Sequence, residues 1–256
     1  MTTPEIATVE VGGSRHYRVP GVDPLLPSVT SIIGALDKPA LPRWAAIEAA
    51  KYAVENRDFL AQFSPEEQIK RIKGAPWSKR DKAASDGTDT HGVMERIAKG
   101  EPISFVQPGT EHAVRSVAEF WLEFRPRPIM VERTVVNPTI GYAGSFDLIA
   151  EIAGNGRTAM IDLKTGKNAY PDTALQLAAY GRAEFVADPD GSRAPMPVIE
   201  DYYVLHAPLE GAWGLIPYEI TDADYHAFLG AKVAFDWKRD RSKAVMGSRM
   251  RLAVTG

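Results

Sequence analysis

Apolar and polar residues alternate near the start of the chain, at Val9 and Val11 and again at Tyr17 and Val19, with Gly12-Gly13 between them. Alternation broken by paired glycines predicts a small β-hairpin. Over residues 27–100 the spacing becomes helical, with breaks at prolines and glycines. Ser64-Pro65-Glu66-Glu67 is a capping box with proline at the first helical position, which predicts a helix over residues 65–74. A second helix is predicted over residues 82–98, stopping at Gly100.

Residues 111–124 carry Val114, Val117, Phe120, Trp121 and Phe124 on one helical side. Strand-like runs follow at 129–136, 144–152 and 158–164, and Gly154-Asn155-Gly156 reads as a hairpin turn between the last two. Residues 171–186 read as helix, 199–205 and 213–220 as strands, and 223–237 as a final helix. This order predicts an α/β (α+β) core with a mostly helical N-terminal part packed against it. The boundaries read as 1–110 for the N-terminal hairpin and helices, 111–240 for the core and 241–256 for a basic tail.

Composition narrows the chemistry. With 256 residues, 45% of them hydrophobic, the chain can bury a sizeable core. No apolar run is long enough to cross a bilayer and no basic-then-apolar leader opens the sequence, so no membrane partner and a cytoplasmic location are expected. The absence of cysteine excludes thiolate zinc sites and cysteine-ligated iron–sulfur clusters. Any metal must then be held by oxygen or by one of the five histidines, which suits Mg2+ or Mn2+. The net charge of -3 means that a nucleic-acid surface must be local. Two basic stretches qualify: Lys70, Arg71, Lys73, Lys79, Arg80 and Lys82, and the C-terminal Lys238, Arg239, Arg241, Lys243, Arg249 and Arg251. Each reads equally as a solvated helix face or a frayed tail.

The chemistry concentrates between Gly144 and Tyr180. Asp162 and Lys164 are two apart on a predicted strand and so share a face, while Leu163 points away and offers its carbonyl as a further metal ligand. If the hairpin pairs as read, Asp147 on the adjoining strand reaches the same ion. Two carboxylates suffice for a magnesium ion, which can neutralise a phosphate and activate water. Lys164 would orient the nucleophile, stabilise the transition state, or give up a proton. Gly141 and Gly144 flank the first acid and are read as room for an approaching nucleic-acid backbone. Gln176 and Tyr180 are one helical turn apart and project from one face. His91 is a candidate further ligand, and Glu95 lies one turn on, facing the same side. Trp44, Tyr52 and Trp77 could stack bases of a single strand, against the alternative that they pack helices.

In this order the residues resemble the PD-(D/E)XK nuclease superfamily, and within it the RecB-like exonuclease branch. The matching positions are His91, then Gly144 with Asp147, then Asp162 with Lys164, then Gln176 with Tyr180. The resemblance implies a restriction-endonuclease-like core, a mixed central sheet flanked by helices, over roughly residues 85–205. It implies Asp147, Asp162 and His91 as metal ligands, Lys164 as the catalytic lysine, and Gln176 and Tyr180 in positioning of lysine and substrate. Glu132 looks like the acidic residue that some members carry on the first core strand. Without cysteines the chain is similar to the cluster-free type found in phage and organellar single-domain exonucleases. The expectation is a Mg2+- or Mn2+-dependent DNA exonuclease acting in recombination, repair or replication. The alternatives are an endonuclease of the same fold acting on branched or single-stranded DNA, and a non-catalytic DNA-binding accessory protein.

Overall fold

A computed structural model describes residues 6–152, 156–188 and 190–249. The chain opens with a three-stranded sheet of β1 (Ala7–Val11), β2 (Ser14–Arg18) and β3 (Leu26–Pro27). Gly12 and Gly13 turn the first hairpin at φ 59° and 75°, a left-handed pair that side chains resist. Helices α1 (Val29–Ile33), α2 (Ala40–Glu55), α3 (Arg57–Leu60), α4 (Pro65–Lys99) and α5 (Glu111–Phe124) follow. The remainder is β4 (Arg127–Asn137), β5 (Tyr142–Glu151), β6 (Thr158–Lys164), α6 (Thr173–Gly181), β7 (Phe185–Ala187), β8 (Arg193–Pro195), β9 (Asp201–His206), β10 (Gly214–Pro217) and α7 (Asp222–Asp236), ending in a π-helical turn at Trp237–Arg241. The fold is α+β: a seven-stranded mixed sheet, order β10-β9-β6-β5-β4-β7-β8, flanked by helices, with a mostly helical N-terminal part. Among the described strands of this sheet, only β6 and β9 pair in parallel. Among the described residues no helix is long and apolar enough to cross a membrane.

Each face of the sheet has its own core. Phe146, Ile149 and Met160 pack under α1, α6 and α7 with Ile32, Leu177 and Phe228. Leu148, Ile161 and Leu163 pack under α4 and α5 with Met94, Val117 and Phe120. A third cluster joins Tyr17, Val19 and Leu26 of the small sheet to Val136, Ala143 and Ala187 of the large one. The N-terminal segment therefore shares its apolar core with the sheet. Strand β6 is buried on both sides over five consecutive residues, as befits a central strand next to a parallel neighbour.

Several elements differ from the sequence reading. The two helices expected at 65–74 and 82–98 are one, α4, which continues through Pro76. Ser64 caps it through its side chain, and Gly100 ends it in the left-handed conformation at φ 70°. Pro76 removes one backbone donor, a cost that the flanking turns and burial of Pro76 itself offset. The helix expected over 171–186 stops at Gly181, and Phe185–Ala187 instead pairs antiparallel with β4. Phe185 and Val186 are apolar in either reading, so periodicity alone could not separate them. The Gly154-Asn155 turn lies outside the described residues, but the strands it joins pair antiparallel as read.

Gly144 serves a purpose different from the one expected of it. A Cβ there would lie 2.4 Å from Tyr180 Cε1, so the missing side chain admits the Tyr180 ring and not a nucleic-acid backbone. Gly141, at φ 83°, closes the β4–β5 turn by donating to Asn137 O. Gly144→Ala is expected to cost about 1–3 kcal/mol in urea unfolding through overpacking. The penalty should shrink in a Tyr180→Ala background, where the clashing ring is gone.

Candidate active site

The candidate residues meet where the regular pleat of β4 and β5 slips. Along β5, Tyr142 and Phe146 belong to the α6-side core, Leu148 and Ala150 to the α5-side core, and Ile149 to the α6 side again. Along β4, Val131 and Val135 are four apart yet lie on opposite sides. A strict two-residue alternation would keep each set on one face. The pairing register is nonetheless unbroken from Val131↔Leu148 to Arg133↔Phe146, which sets Glu132 opposite Asp147 at the slip. Glu132 takes φ 47°, a left-handed conformation uncommon for glutamate and of the kind found at functional sites.

On its other edge β5 parts from β6. Their ladder runs from Glu151↔Thr158 to Leu148↔Ile161 and ends there. Beyond it, Leu163 N–H donates to Asp147 Oδ2 at 2.6 Å, so a side chain takes the place of the missing strand. The opposite edge of β6 stays paired to β9, where Lys164 O accepts from Ala207 N–H. The Leu163 carbonyl leaves β6 on the same edge as its N–H, toward the parted strands, and the Leu163 side chain is fully buried.

Asp162 and Lys164 share a face, as their spacing requires. Lys164 Nζ stands 2.6 Å from Asp162 Oδ2 in an ion pair, and that buried oxygen has no further hydrogen-bond partner. Gln176 on α6 links the pair: its Nε2 donates to Asp162 Oδ1 at 2.8 Å, and its Oε1 accepts from Lys164 Nζ at 3.4 Å. The same Nε2 stands 3.2 Å from the Tyr180 hydroxyl. Tyr180 is buried, so it positions Gln176 and meets no solvent-borne ligand.

His91 reaches the site from α4. Gly87 allows the approach, since a Cβ there would lie 3.1 Å from Thr165 Oγ1 just past β6. His91 Nδ1 donates to Gly87 O at 2.8 Å, turning Nε2 toward Asp147 Oδ2 at 3.2 Å. Glu95, one turn further, pairs with Lys99 at 2.5 Å and contributes charge near Glu132.

Burial and charge set the protonation of these groups. Burial opposes charge on His91, but Asp147 and the Gly87 carbonyl outweigh it and raise its pKa to about 10. Burial likewise pushes Asp147 up, and the facing imidazolium with Lys164 brings it below the ordinary aspartate value. Asp162 is raised, because burial and the Asp147 charge exceed what Lys164 returns. Lys164 is held charged: burial works against it, and Asp162 and Asp147 more than compensate. Burial, then Asp147, lift Glu132 to about 8. Adjacent acids driven in opposite directions are a mark of sites that manage protons.

Among the described residues no three His, Asp or Glu side chains form a group arranged to hold a metal ion. The reason is geometric: Asp162 is turned to Lys164 and Gln176, and His91 and Asp147 are turned to each other. The donor chemistry nevertheless fits a hard divalent ion. Asp162 Oδ2 is buried with only the Lys164 ammonium against it, Leu163 O faces the gap, and the Nδ1–H bond to Gly87 O leaves Nε2 as the His91 nitrogen that would bind a cation once its proton is lost.

Two cavities flank these residues. One of about 210 Å³ is lined by Thr30, Lys38, Lys164, Asp172 and Gln176. The other, of about 270 Å³, is lined by Arg15, Tyr17, Glu132, Arg133 and Ser145. A larger concavity of about 690 Å³ between α6 and β10 contains none of the candidate residues, and its tyrosines and prolines do not converge on a reactive group. The sequence reading missed Arg15, Thr30 and Lys38, which lie far from the motif in the chain; the Ser28 cap of α1 was the one local signal there.

The basic stretches are partly spent on ion pairs. Lys70 and Arg71 pair with Glu67, Lys79 with Glu48, Arg80 with Asp81 and Lys82 with Asp86. Arg239 donates to His16 Nε2 at 2.7 Å, and Arg251 lies outside the described residues. Trp77 is 39% exposed beneath the Arg80 guanidinium, whereas Trp44 and Tyr52 are half-buried.

No protein-family model and no curated protein matches the chain. Its function must be argued from the site.

The Glu132 shift has a measurable sign. Between the ordinary value of 4.5 and about 8 the folded protein keeps a proton that the unfolded chain has lost, so this group's contribution to stability falls as pH rises through that window. Glu132→Gln should melt a few degrees above the parent at pH 8.5 and level with it at pH 5, by thermal scans in chelator.

Proposed function

We propose that this protein is a divalent-metal-dependent nuclease of the PD-(D/E)XK type, of the RecB-like exonuclease branch, that hydrolyses phosphodiester bonds in DNA. The observation that carries the reading is the Gln176 bridge, in which one amide holds both the Asp162 carboxylate and the Lys164 ammonium. A surface Asp-x-Lys pair needs no such bridge. Here the pair is largely buried, fixed from α6, and faced across the strand gap by Asp147 and His91.

Asp147, Asp162, the Leu163 carbonyl and His91 would hold a Mg2+ or Mn2+ ion. When bound, such an ion neutralises phosphate charge and makes water a better nucleophile near neutral pH. The remaining work falls to the chain. Lys164, kept charged by its acids, offers its ammonium to a phosphate oxygen on which negative charge builds. Gln176 keeps Lys164 and Asp162 aligned, and Tyr180 locks Gln176 in place. His91 Nε2 holds the proton it shares with Asp147 until a cation replaces it.

Incubation of the purified protein with end-labelled linear DNA and Mg2+ tests the reading. Shortening of the label is expected, abolished by chelator, and reduced about 10²-fold or more by Asp162→Ala and by Lys164→Ala. Gln176→Ala should lower the rate by about tenfold or more while leaving the fold intact by circular dichroism. Undiminished activity in the Asp162 or Lys164 variant would sink the assignment. Closed circular single-stranded DNA separates the modes, because an obligate exonuclease leaves it whole.

A further inference from the structure

Of the four cations that line the two cavities, three are matched by carboxylates. Lys164 faces Asp162, Lys38 pairs with Asp172 at 3.1 Å, and Arg133 pairs with Asp188. Arg15, which lines the cavity on the Glu132 side, has no carboxylate partner among the described residues. It is exposed, so its charge is free to meet a ligand.

Its backbone is fixed. Arg15 N–H donates to Ser31 Oγ at 3.1 Å, and Arg15 O accepts from Ser28 N–H at 2.9 Å. Its guanidinium is aimed. Nη2 donates to Thr30 Oγ1 at 3.1 Å, and the guanidinium carbon sits 5.8 Å from the centre of the Tyr17 ring. Tyr17 is buried, and its hydroxyl is 3.2 Å from Ser145 Oγ, two residues before Asp147 on β5. Arg15 is thereby tied to the strand that carries the first acid. Glu132 lines the same cavity, yet the two do not pair; the hold on Nη2 keeps the fork turned toward Thr30. Thr30 also lines the cavity that contains Lys164 and Gln176, so Arg15 stands on the wall between the two openings.

Glu10 stands opposite Arg15 on β1 but forms no ion pair with it. A tethered guanidinium with spare donors, no ion-paired carboxylate and an open cavity is suited to a phosphate, which it can grip through two parallel N–H bonds. We infer that Arg15 binds a phosphate of the nucleic-acid strand other than the one being cut, and so helps fix the strand's path past Asp147. This rests on the nuclease reading above.

The test is binding of a fluorescein-labelled oligothymidylate to the full chain in an Asp162→Asn background, followed by anisotropy across a salt series. In that background Arg15→Gln should weaken affinity about five- to tenfold near 0.1 M salt and flatten the slope of log Kd against log salt by about 0.7, the value for one lost contact to a single strand. Arg15→Lys should keep the slope, since the charge remains, and lose about two- to threefold in affinity with the fork. A slope for Arg15→Gln equal to that of its parent overturns the inference while leaving the nuclease reading standing. Should Arg15→Gln fail to fold, Arg15→Lys decides alone: parental affinity overturns the inference, and weaker binding at parental slope supports it. A parent that shows no salt-dependent binding overturns both.

Discussion

Leu163 N–H needs an acceptor once β5 no longer runs beside β6, and the Asp147 carboxylate supplies it. A buried backbone donor left unpaired would cost about 1–3 kcal/mol, so the parted strands are tolerable only while that carboxylate stays in place. Much of the site follows from this bond. An ionised carboxylate in the interior needs compensating charge, which His91 brings from α4 and Lys164 from the next residue of β6. The approach of α4 in turn requires Gly87, because a side chain there would press on Thr165. Opening a sheet to expose a carbonyl and opening it to admit a carboxylate are here one structural event.

Charge is shared unevenly around that opening, and the unevenness is useful. Asp147 is held ionised by its imidazolium partner, whereas Asp162, pushed up by burial and by the Asp147 charge, lies closer to taking a proton. Glu132, opposite Asp147, sits in the same field and gives way by holding its proton. Three carboxyl groups could not all be charged in so small a space without a cation among them. The cluster thus resembles a ligand set whose deficit is covered by one ammonium, one imidazolium and one retained proton.

How much of this was legible in the sequence depended on range. Asp162-x-Lys164 and Gln176-x-x-x-Tyr180 follow from strand and helix periods, and their side chains meet as those periods require. His91 was a candidate by residue type alone, and the resemblance singled it out, since no local rule places a residue of α4 against β5. Gly144 was marked as a close approach, yet the approaching group is Tyr180, thirty-six residues later. The pleat slip at Glu132 left no trace, because two adjacent strands slip together and apolar residues stand on either side of Glu132 and Asp147 whichever face they turn to. Arg15 was invisible for another reason: what distinguishes it is the absence of a partner in space. The continuity of α4 was hidden by Pro76, whose local penalty is outweighed by contacts on both sides.

That proline has a mechanical consequence. Helix α4 is a rod of about 1.5 Å per residue, planted beside β6 at Gly87 and extending back to Ser64 past α2, a helix with no fully buried residue whose Glu48 pairs with Lys79. Stress applied to the remote end would travel along the rod to the imidazole unless something yielded first. A proline inside a helix leaves it one hydrogen bond short and is a place where it can bend; Pro76 lies on the far side of Gly87 from His91. The rod can flex there as a gooseneck does, leaving the aim of the imidazole undisturbed.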